Sequence, residues 1–527
     1  MPRESMLTDD NCYAAVKARD ARFDGCFFTG VTSTGIYCRP VCSVKAPKRE
    51  NCRFFGHAAQ AESAGFRPCL RCRPELAPHS VVWSIQNSSY ILAHQAARLL
   101  DEPESWLDDP APTHDASRHA LPPEGVVLAR GGPSLRTPAV EKLALKLGIS
   151  DRHLRRIFEA QFGVSPVQYL QTRRLLTAKQ LLADTLLPIT HIALMSGFAS
   201  VRRFNAAFVA HYKLNPTQLR RTAPQTTGSD QGTTIRLGYR PPYNVQAMLG
   251  FIGKRSISTI ESIADNAQEY WVKRTFCIEL AGKKHAGWLQ MRFDEARSQL
   301  VLTVSDSLRG VLPLVIRRVR AAFDLDADPL AINAVLHDDF PTGDGLRVPG
   351  ALDGFELGVR AILGQQITVA AARTLAQRLV NHYGKPVATP WPALTRLFPS
   401  SDVLAATSAE ALGQLGIVKQ RRAAIVGLAK AVEGGLQLNG GADVHATLEA
   451  LKALPGIGDW TAQYIAMRAL RWPDAFPAGD VALHKALGVQ GLKNPARLAE
   501  AASLAWKPWR SYAVIRTWSG AWRGAAT

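Results

Sequence analysis

Two pairs of cysteines restrict the N-terminal part of this chain more than any other feature. Cys38 and Cys42 are spaced C-x-x-x-C, 26 residues follow, and Cys69 and Cys72 are spaced C-x-x-C. Seven of the eight cysteines lie before residue 73, so one short segment must fold around its thiols, on a metal ion or through disulfides. Tetrathiolate zinc is the usual occupant of such paired spacings. Arginine and proline flank both pairs, in Cys38-Arg39-Pro40-Val41-Cys42 and in Arg67-Pro68-Cys69-Leu70-Arg71-Cys72. Cations there lower thiol pKa values and suit a phosphate backbone, which makes Arg39 and Arg71 candidate DNA contacts of a zinc module.

Charge points the same way. The 527 residues carry a net charge of +19, a balance that fits a polyanion, either nucleic acid or an acidic membrane. The length suggests about three or four domains. No window reaches the ~18 apolar residues of a membrane span, so no membrane partner is expected. Met1 to Asp10 has acidic residues and no apolar run, so no signal peptide is expected and the thiols read as reduced metal ligands.

The chain divides into blocks. Residues 1–78 hold the cysteines; residues 85–225 read as helical, with a proline-rich polar stretch at 101–134; Thr222 to Thr234 marks the next boundary. Beyond it come alternating strand patterns, Phe276 to Leu280 and Leu300 to Val304, and from about residue 330 an Ala/Leu-rich helical pattern. An internal repeat organises the middle block: Phe158, Phe162, Pro166 and Gln168 recur 50 residues later as Phe208, Tyr212, Pro216 and Gln218. Upstream of each copy lies helix, glycine turn, helix: Val140–Leu147, Gly148-Ile149-Ser150, Asp151–Gln161, then Ile189–Ser196, Gly197 to Ser200, Val201–His211. These are two helix-turn-helix units, whose second helices would enter successive major grooves and display Arg152, Arg155, Arg156, Arg202 and Arg203. With Phe162-Gly163-Val164-Ser165-Pro166 and Gly197-Phe198, the block resembles the DNA-binding domain of AraC-type transcription regulators.

On spacing alone, the zinc site is open to two readings, purely structural or nucleophilic. Ser33-Thr34-Gly35-Ile36-Tyr37-Cys38-Arg39-Pro40-Val41-Cys42 and Ala64-Gly65-Phe66-Arg67-Pro68-Cys69-Leu70-Arg71-Cys72 resemble the N-terminal domain of Ada-type methylphosphotriester-DNA methyltransferases. The resemblance implies that Cys38 irreversibly accepts a methyl group from a DNA phosphotriester while Cys38, Cys42, Cys69 and Cys72 hold one zinc. Methylation would take the site from −2 to −1, easing its repulsion of phosphates and acting as a damage-sensing switch. Ada proteins also carry a methylguanine-repair domain with a Pro-Cys-His-Arg nucleophile; that motif is missing here, so that activity is not expected.

In the C-terminal block, Leu454-Pro455-Gly456-Ile457-Gly458-Asp459-Trp460-Thr461-Ala462 reads as a hairpin between helices. Its glycines let backbone N–H groups approach a phosphate without sequence readout, which marks Gly456, Gly458 and Thr461 as DNA contacts. Asp480 follows 22 residues after Gly458. It is either a carboxylate facing the bound backbone, able to steady an oxocarbenium-like sugar or activate water, or simply a helix N-cap. The hairpin, Pro241-Pro242-Tyr243, Met248-Leu249-Gly250-Phe251, Gly358 to Gln365 and Trp506 to Tyr512 resemble the helix-hairpin-helix DNA glycosylases of the AlkA, 3-methyladenine type. By that resemblance Asp480 is the catalytic carboxylate, and Phe251, Trp460, Tyr464 and Trp518 line an aromatic pocket whose faces attract cationic N-alkylated purines. Gln365 and Gln366 stand at the substrate, with Gln366 where AlkA-type enzymes place an apolar wedge. Lyase-type relatives carry lysine where Trp460 stands, so a monofunctional glycosylase is implied. Trp506 and Trp509 read as core.

The expectation is therefore a multidomain α+β chain. It comprises a zinc-binding α/β module (1–78), an AraC-like double helix-turn-helix (85–225), an AlkA-like antiparallel sheet domain (235–325) and a helix-hairpin-helix glycosylase domain (326–527). Expected partners are double-stranded and alkylated DNA and, for a regulator, RNA polymerase. A monomer in the bacterial cytoplasm, at the nucleoid, is expected, with one zinc and a monovalent cation on the hairpin carbonyls. The competing reading is an AraC-family regulator whose glycosylase-like part only binds DNA.

Overall fold

A computed structural model of the protein describes residues 8–79, 88–101, 138–222, 232–266, 269–280 and 282–522. The polar stretch expected at 101–134 lies almost wholly outside the described residues.

The cysteine block is a four-stranded sheet, ordered β3-β1-β2-β4, with β1 Phe28–Val31, β2 Ile36–Cys38, β3 Cys52–Phe55 and β4 Arg67–Pro68. Helix α1 (Asp9–Ala18) packs on β3, and helix α2 (Ala58–Ser63) lies against β1, β3 and β4. Its cores are small, one around Tyr37 and Phe66, another around Cys12 and Phe27. A segment with so little apolar area needs a staple.

Helix α3 (Ser88–Leu100) leads into the repeat: α4 (Pro138–Lys146), α5 (Asp151–Phe162), α6 (Pro166–Asp184), α7 (Ile189–Met195), α8 (Val201–Tyr212) and α9 (Pro216–Thr222). The repeated positions now have physical reasons. Phe158, Phe162, Phe208 and Tyr212 are the buried faces of α5 and α8. The Pro-x-Gln triplets start α6 and α9, where Gln168 and Ser165, then Gln218 and Asn215, cap each other reciprocally. Ser150 and Ser200 cap the two second helices through the N–H groups of His153 and Arg203, and Gly148 and Gly197 take the left-handed turns before them.

The third block opens with a five-stranded antiparallel sheet ordered β5-β9-β8-β7-β6: β5 Thr233–Gly238, β6 Glu261–Asn266, β7 Glu269–Leu280, β8 Lys283–Asp294 and β9 Gln299–Val304. Helix α10 (Val245–Gly253) crosses between β5 and β6, and α11 (Leu312–Ala322) follows β9. The two strands expected from the sequence are the end of β7 and most of β9. The helical part then runs through α12 (Pro329–Leu336), α13 (Gly354–Leu363), α14 (Val369–Tyr383), α15 (Ser401–Ala406), α16 (Ala409–Gln414), α17 (Lys419–Glu433), α18 (Val444–Lys452), α19 (Asp459–Arg468), α20 (Val481–Ala486), α21 (Pro495–Ala502) and α22 (Arg510–Trp518). Among the described residues no helix is long and apolar enough to cross a membrane.

The cores do not respect the blocks. Leu175 to Leu182 of α6 and Phe204 and Phe208 of α8 share one apolar cluster with the strands of the five-stranded sheet. Ala59 of α2 joins the cluster formed by α3, α4 and α5. Polar ties complete the docking. Lys179 of α6 donates to the carbonyl of Cys69 and pairs with Glu75; Arg73 pairs with Glu75 and Asp184. Arg240 is fully buried and donates to the carbonyls of Asp24, Pro78, His79, Asp326 and Ala327, so one guanidinium ties the cysteine module to the sheet and helical parts.

Candidate active site and metal centre

The parallel register of β2 and β4 assembles the thiols. Tyr37 sits opposite Pro68, and the N–H of Cys69 donates to the Tyr37 carbonyl at 2.9 Å, which sets Cys38 beside Cys69. The four Sγ atoms of Cys38, Cys42, Cys69 and Cys72 all lie within 4.8 Å of one another. Tetrahedral zinc with bonds of about 2.3 Å separates its sulfurs by about 3.8 Å, so this donor set fits zinc. The thiols perturb one another most: contact with Cys38 lowers Cys42 and Cys69 and raises Cys72, and contact with Cys42 raises Cys38. Backbone N–H groups face three of them, Val44 at Cys42, Cys72 at Cys69, and Arg39 at Cys72 at 3.4 Å.

Arg71 is exposed beside this centre, as expected of a phosphate contact. Arg39 is not. It is buried, pairs with Asp24 through two donors and donates to the Cys72 carbonyl at 3.0 Å. Every direction of its fork is used internally, so it braces the zinc loop and does not reach DNA. On the helix-turn-helix units, Arg152, Arg156, Arg202 and Arg203 are exposed, and Arg155 is half-buried and paired with Asp151 at 2.9 Å.

The C-terminal cavity, about 540 Å³, is lined by Phe251, Trp460, Tyr464, Asp480 and Trp518, so five of the expected residues converge. Asp480 is the helix N-cap that one reading of its position expects, and it also lines the cavity. It caps α20, Oδ1 accepting the N–H of Leu483 at 3.0 Å. The same oxygen accepts from Trp518 Nε1 at 3.1 Å, and Oδ2 accepts from Trp460 Nε1 at 2.9 Å. All three partners are donors, so the carboxyl acts here only as an acceptor, held at the cavity wall by two indoles. Trp460 stacks on Tyr464 with centroids 5.2 Å apart and planes 15° from parallel.

Phe251 departs from the expectation. The Arg255 guanidinium lies 3.7 Å from its ring centroid and that of Arg468 lies 4.9 Å away. Protein cations already lie over this ring, where a cationic base would have to compete with them. Two arginines and two glutamates form a closed box beside it: Arg274 and Arg360 each pair with both Glu261 and Glu356. Sequence reasoning missed Arg255, Arg468 and this box. The one available signal was spacing, since Arg468 and Arg255 each follow a pocket aromatic by four residues, Tyr464 and Phe251.

The hairpin joins α18 to α19, with Gly456 at φ +86°. Gln365 was expected at the substrate, but its side-chain amide donates to the Gly456 carbonyl and to Thr461 Oγ1, both at 2.9 Å, and Arg421 donates to its carbonyl. Its side-chain nitrogen ties the loop after α13 to the hairpin. Thr461 is buried with its hydroxyl in that tie, so no side-chain contact to DNA is available from it. Gly458 is exposed, and a Cβ there would meet nothing within 4 Å. Gln366 is exposed at φ +53°, a left-handed conformation costly for a side-chain-bearing residue and suited to projecting one from a turn.

Four family models match in chain order: the metal-binding domain of Ada (residues 11–75), a helix-turn-helix domain (143–222), the AlkA N-terminal domain (234–353) and the HhH-GPD superfamily of base excision DNA repair proteins (359–511). A curated Mycobacterium tuberculosis protein, "Probable bifunctional transcriptional activator/DNA repair enzyme AlkA", is 35% identical over 521 residues, covering 97% of this chain and 96% of that protein. The chain belongs to this bifunctional AlkA family. Partial relatives cover its two ends. DNA-3-methyladenine glycosylase 2 of Escherichia coli is 35% identical over 283 residues, 54% of this chain and 95% of that enzyme. The bifunctional transcriptional activator/DNA repair enzyme Ada of Escherichia coli is 32% identical over 184 residues, 35% of this chain and 41% of that protein. The multidomain layout of zinc module, helix-turn-helix, sheet domain and helix-hairpin-helix domain is that of the bifunctional AlkA family.

Proposed function

We propose that the protein repairs alkylated DNA with two chemistries and reports the damage as a transcription regulator. The C-terminal part frees alkylated bases of the 3-methyladenine type by N-glycosidic hydrolysis. The observation that carries this is Asp480, a carboxylate on the wall of an aromatic cavity with two indole N–H groups fixing its direction. With the base flipped into the cavity, the C1′–N bond breaks and its electron pair leaves with the base. Asp480 steadies the positive charge left on the sugar; water adds to C1′ and its proton passes to the carboxylate or to solvent. No amine stands at Trp460 to form a Schiff base, so the product is an abasic site. Gln366 fills the space that the extruded nucleotide leaves, and Gly456 and Gly458 admit the phosphate backbone to the hairpin.

In the N-terminal part, Cys38, Cys42, Cys69 and Cys72 would hold zinc, which when bound would keep the sulfurs as electron-rich thiolates at neutral pH. Cys38 Sγ forms a bond to the methyl carbon of a phosphotriester, the methyl–oxygen bond breaks, and a phosphodiester leaves with its negative charge. The convergence of the four sulfurs within 4.8 Å of one another supports the zinc-thiolate setting of this step. Arg71 on the zinc module and Arg152, Arg156, Arg202 and Arg203 on α5 and α8 would contact the duplex, with RNA polymerase as partner at promoters. Residues 1–78, 85–225, 235–325 and 326–527 are the proposed units of a monomer acting at the bacterial nucleoid. A monovalent cation on the hairpin carbonyls belongs to the same proposal.

The test is release of free bases from methylated duplex DNA, separated by chromatography. Base release that persists undiminished in Asp480→Asn excludes the catalytic assignment and favours a protein that only binds DNA.

A further inference from the structure

The Trp460–Tyr464 stack has a different charge at each end. Asp480 sits on the Trp460 indole. At the other end the Tyr464 hydroxyl accepts from Arg468 and lies within hydrogen-bond reach of Arg255. Burial alone would raise the pKa of that hydroxyl, yet Arg468 and Arg255 together hold it below its ordinary value.

Five arginines line the cavity: Arg255, Arg274, Arg360, Arg468 and, exposed at its rim, Arg373. Arg274 and Arg360 are matched by Glu261 and Glu356. Arg255 and Arg468 face only neutral acceptors. Arg468 donates to the carbonyls of Pro349 and Gly350 besides Tyr464, and Arg255 donates to the Phe251 carbonyl at 3.1 Å. Among the described residues neither forms an ion pair with a carboxylate. The Phe251 face that could have held a cationic ring carries the Arg255 guanidinium at 3.7 Å.

We infer that Arg255, backed by Arg468, is a specificity-determining residue that favours flipped bases presenting an acceptor oxygen on the edge remote from the sugar. This rests on the glycosylase reading above. With the glycosidic bond at Asp480, the base lies along the stack and its far edge meets the guanidiniums. An exocyclic carbonyl there gains a charge-assisted hydrogen bond. A cationic base without such an oxygen meets two guanidiniums that no carboxylate pairs. Arg255 is half-buried on the loop after α10 and is the more adjustable of the two.

Methylated duplex DNA contains both kinds of base: 7-methylguanine carries an oxygen on that edge and 3-methyladenine does not. One digest therefore gives an internally controlled ratio that does not depend on how much protein is folded. Arg255→Met keeps length and removes the donors. It is expected to lower the ratio of 7-methylguanine to 3-methyladenine released by about tenfold to a hundredfold, and Arg255→Lys to restore part of it. An unchanged ratio in Arg255→Met overturns the inference. So does an equal loss of both bases repeated in Arg255→Gln, which would make Arg255 a support of the cavity alone. A wild-type protein that frees neither base overturns the glycosylase reading itself, a result separate from these.

Discussion

Trp460 donates its indole N–H to Asp480 Oδ2 at 2.9 Å, joining the helix that leaves the hairpin to the residue that caps α20. Asp480→Asn should therefore separate chemistry from folding. Asparagine caps helices as well as aspartate, but its amide nitrogen cannot accept from an indole, so the melting temperature should fall only by the few degrees that about one lost hydrogen bond costs. Base release should fall by about a hundredfold or more, because the neutral amide neither stabilises a sugar cation nor takes a proton. A variant that melts far earlier would show that the carboxylate is chiefly structural.

Trp518→Phe keeps most of the ring and deletes the 3.1 Å bond to Asp480 Oδ1. Losing one hydrogen bond to a charged group is worth about 1.5–3 kcal/mol, or roughly a tenfold to hundredfold drop in single-turnover rate. The loss should fall on the chemical step, leaving affinity for undamaged duplex unchanged in a binding titration.

Much of this arrangement could be read from the residues. The repeat at a 50-residue offset located both helix-turn-helix units because its positions are core aromatics and capping pairs, which local physics fixes. The thiol cluster was legible because ligand spacing is a chemical constraint. What stayed hidden depends on contacts between distant segments. Arg39 looked like a phosphate contact until Asp24, fifteen residues earlier, was seen beside it. Gln365 ties its loop to the hairpin, an arrangement hidden in the sequence because the hairpin 91 residues on supplies its acceptor. The docking of the cysteine module on α6 rests on Lys179, Glu75 and Arg73, whose pairing no local pattern reveals.

Removing zinc should unfold the cysteine module and little else. Its two small cores cannot hold the thiol loops without the metal, and structural zinc sites contribute about 10 kcal/mol or more to their folds. After treatment with a chelator, amide hydrogen exchange should rise across residues 8–79 while base release persists. Intact mass of zinc-loaded protein mixed with methylated DNA should show one added methyl, absent in Cys38→Ala; a methyl on Cys72 would move the nucleophile there.

Arg240→Met removes five donors' worth of contacts at once, leaving the carbonyls of Asp24, Pro78, His79, Asp326 and Ala327 buried without that partner. The cost should be on the order of 3 kcal/mol or more, concentrated at the joint and not within each unit. Limited proteolysis should then cut between the cysteine module and the sheet domain faster than in wild type, with the thiol cluster still binding zinc.

The same joint should respond to acid. Burial would raise the pKa of Glu75, but Lys179 and Arg73 hold it below the ordinary carboxylate value. A carboxyl whose folded pKa is depressed contributes stability that is present above its unfolded pKa, about 4, and is lost as pH falls through the folded value. Glu75→Gln should lower stability at pH 7 by about 3 kcal/mol, since it leaves two buried cations without their shared anion. It should also flatten the fall in melting temperature below pH 4. Acid loss of zinc is common to both proteins, so the difference between their pH profiles isolates Glu75; parallel profiles would show that Lys179 and Arg73 find their stabilisation elsewhere.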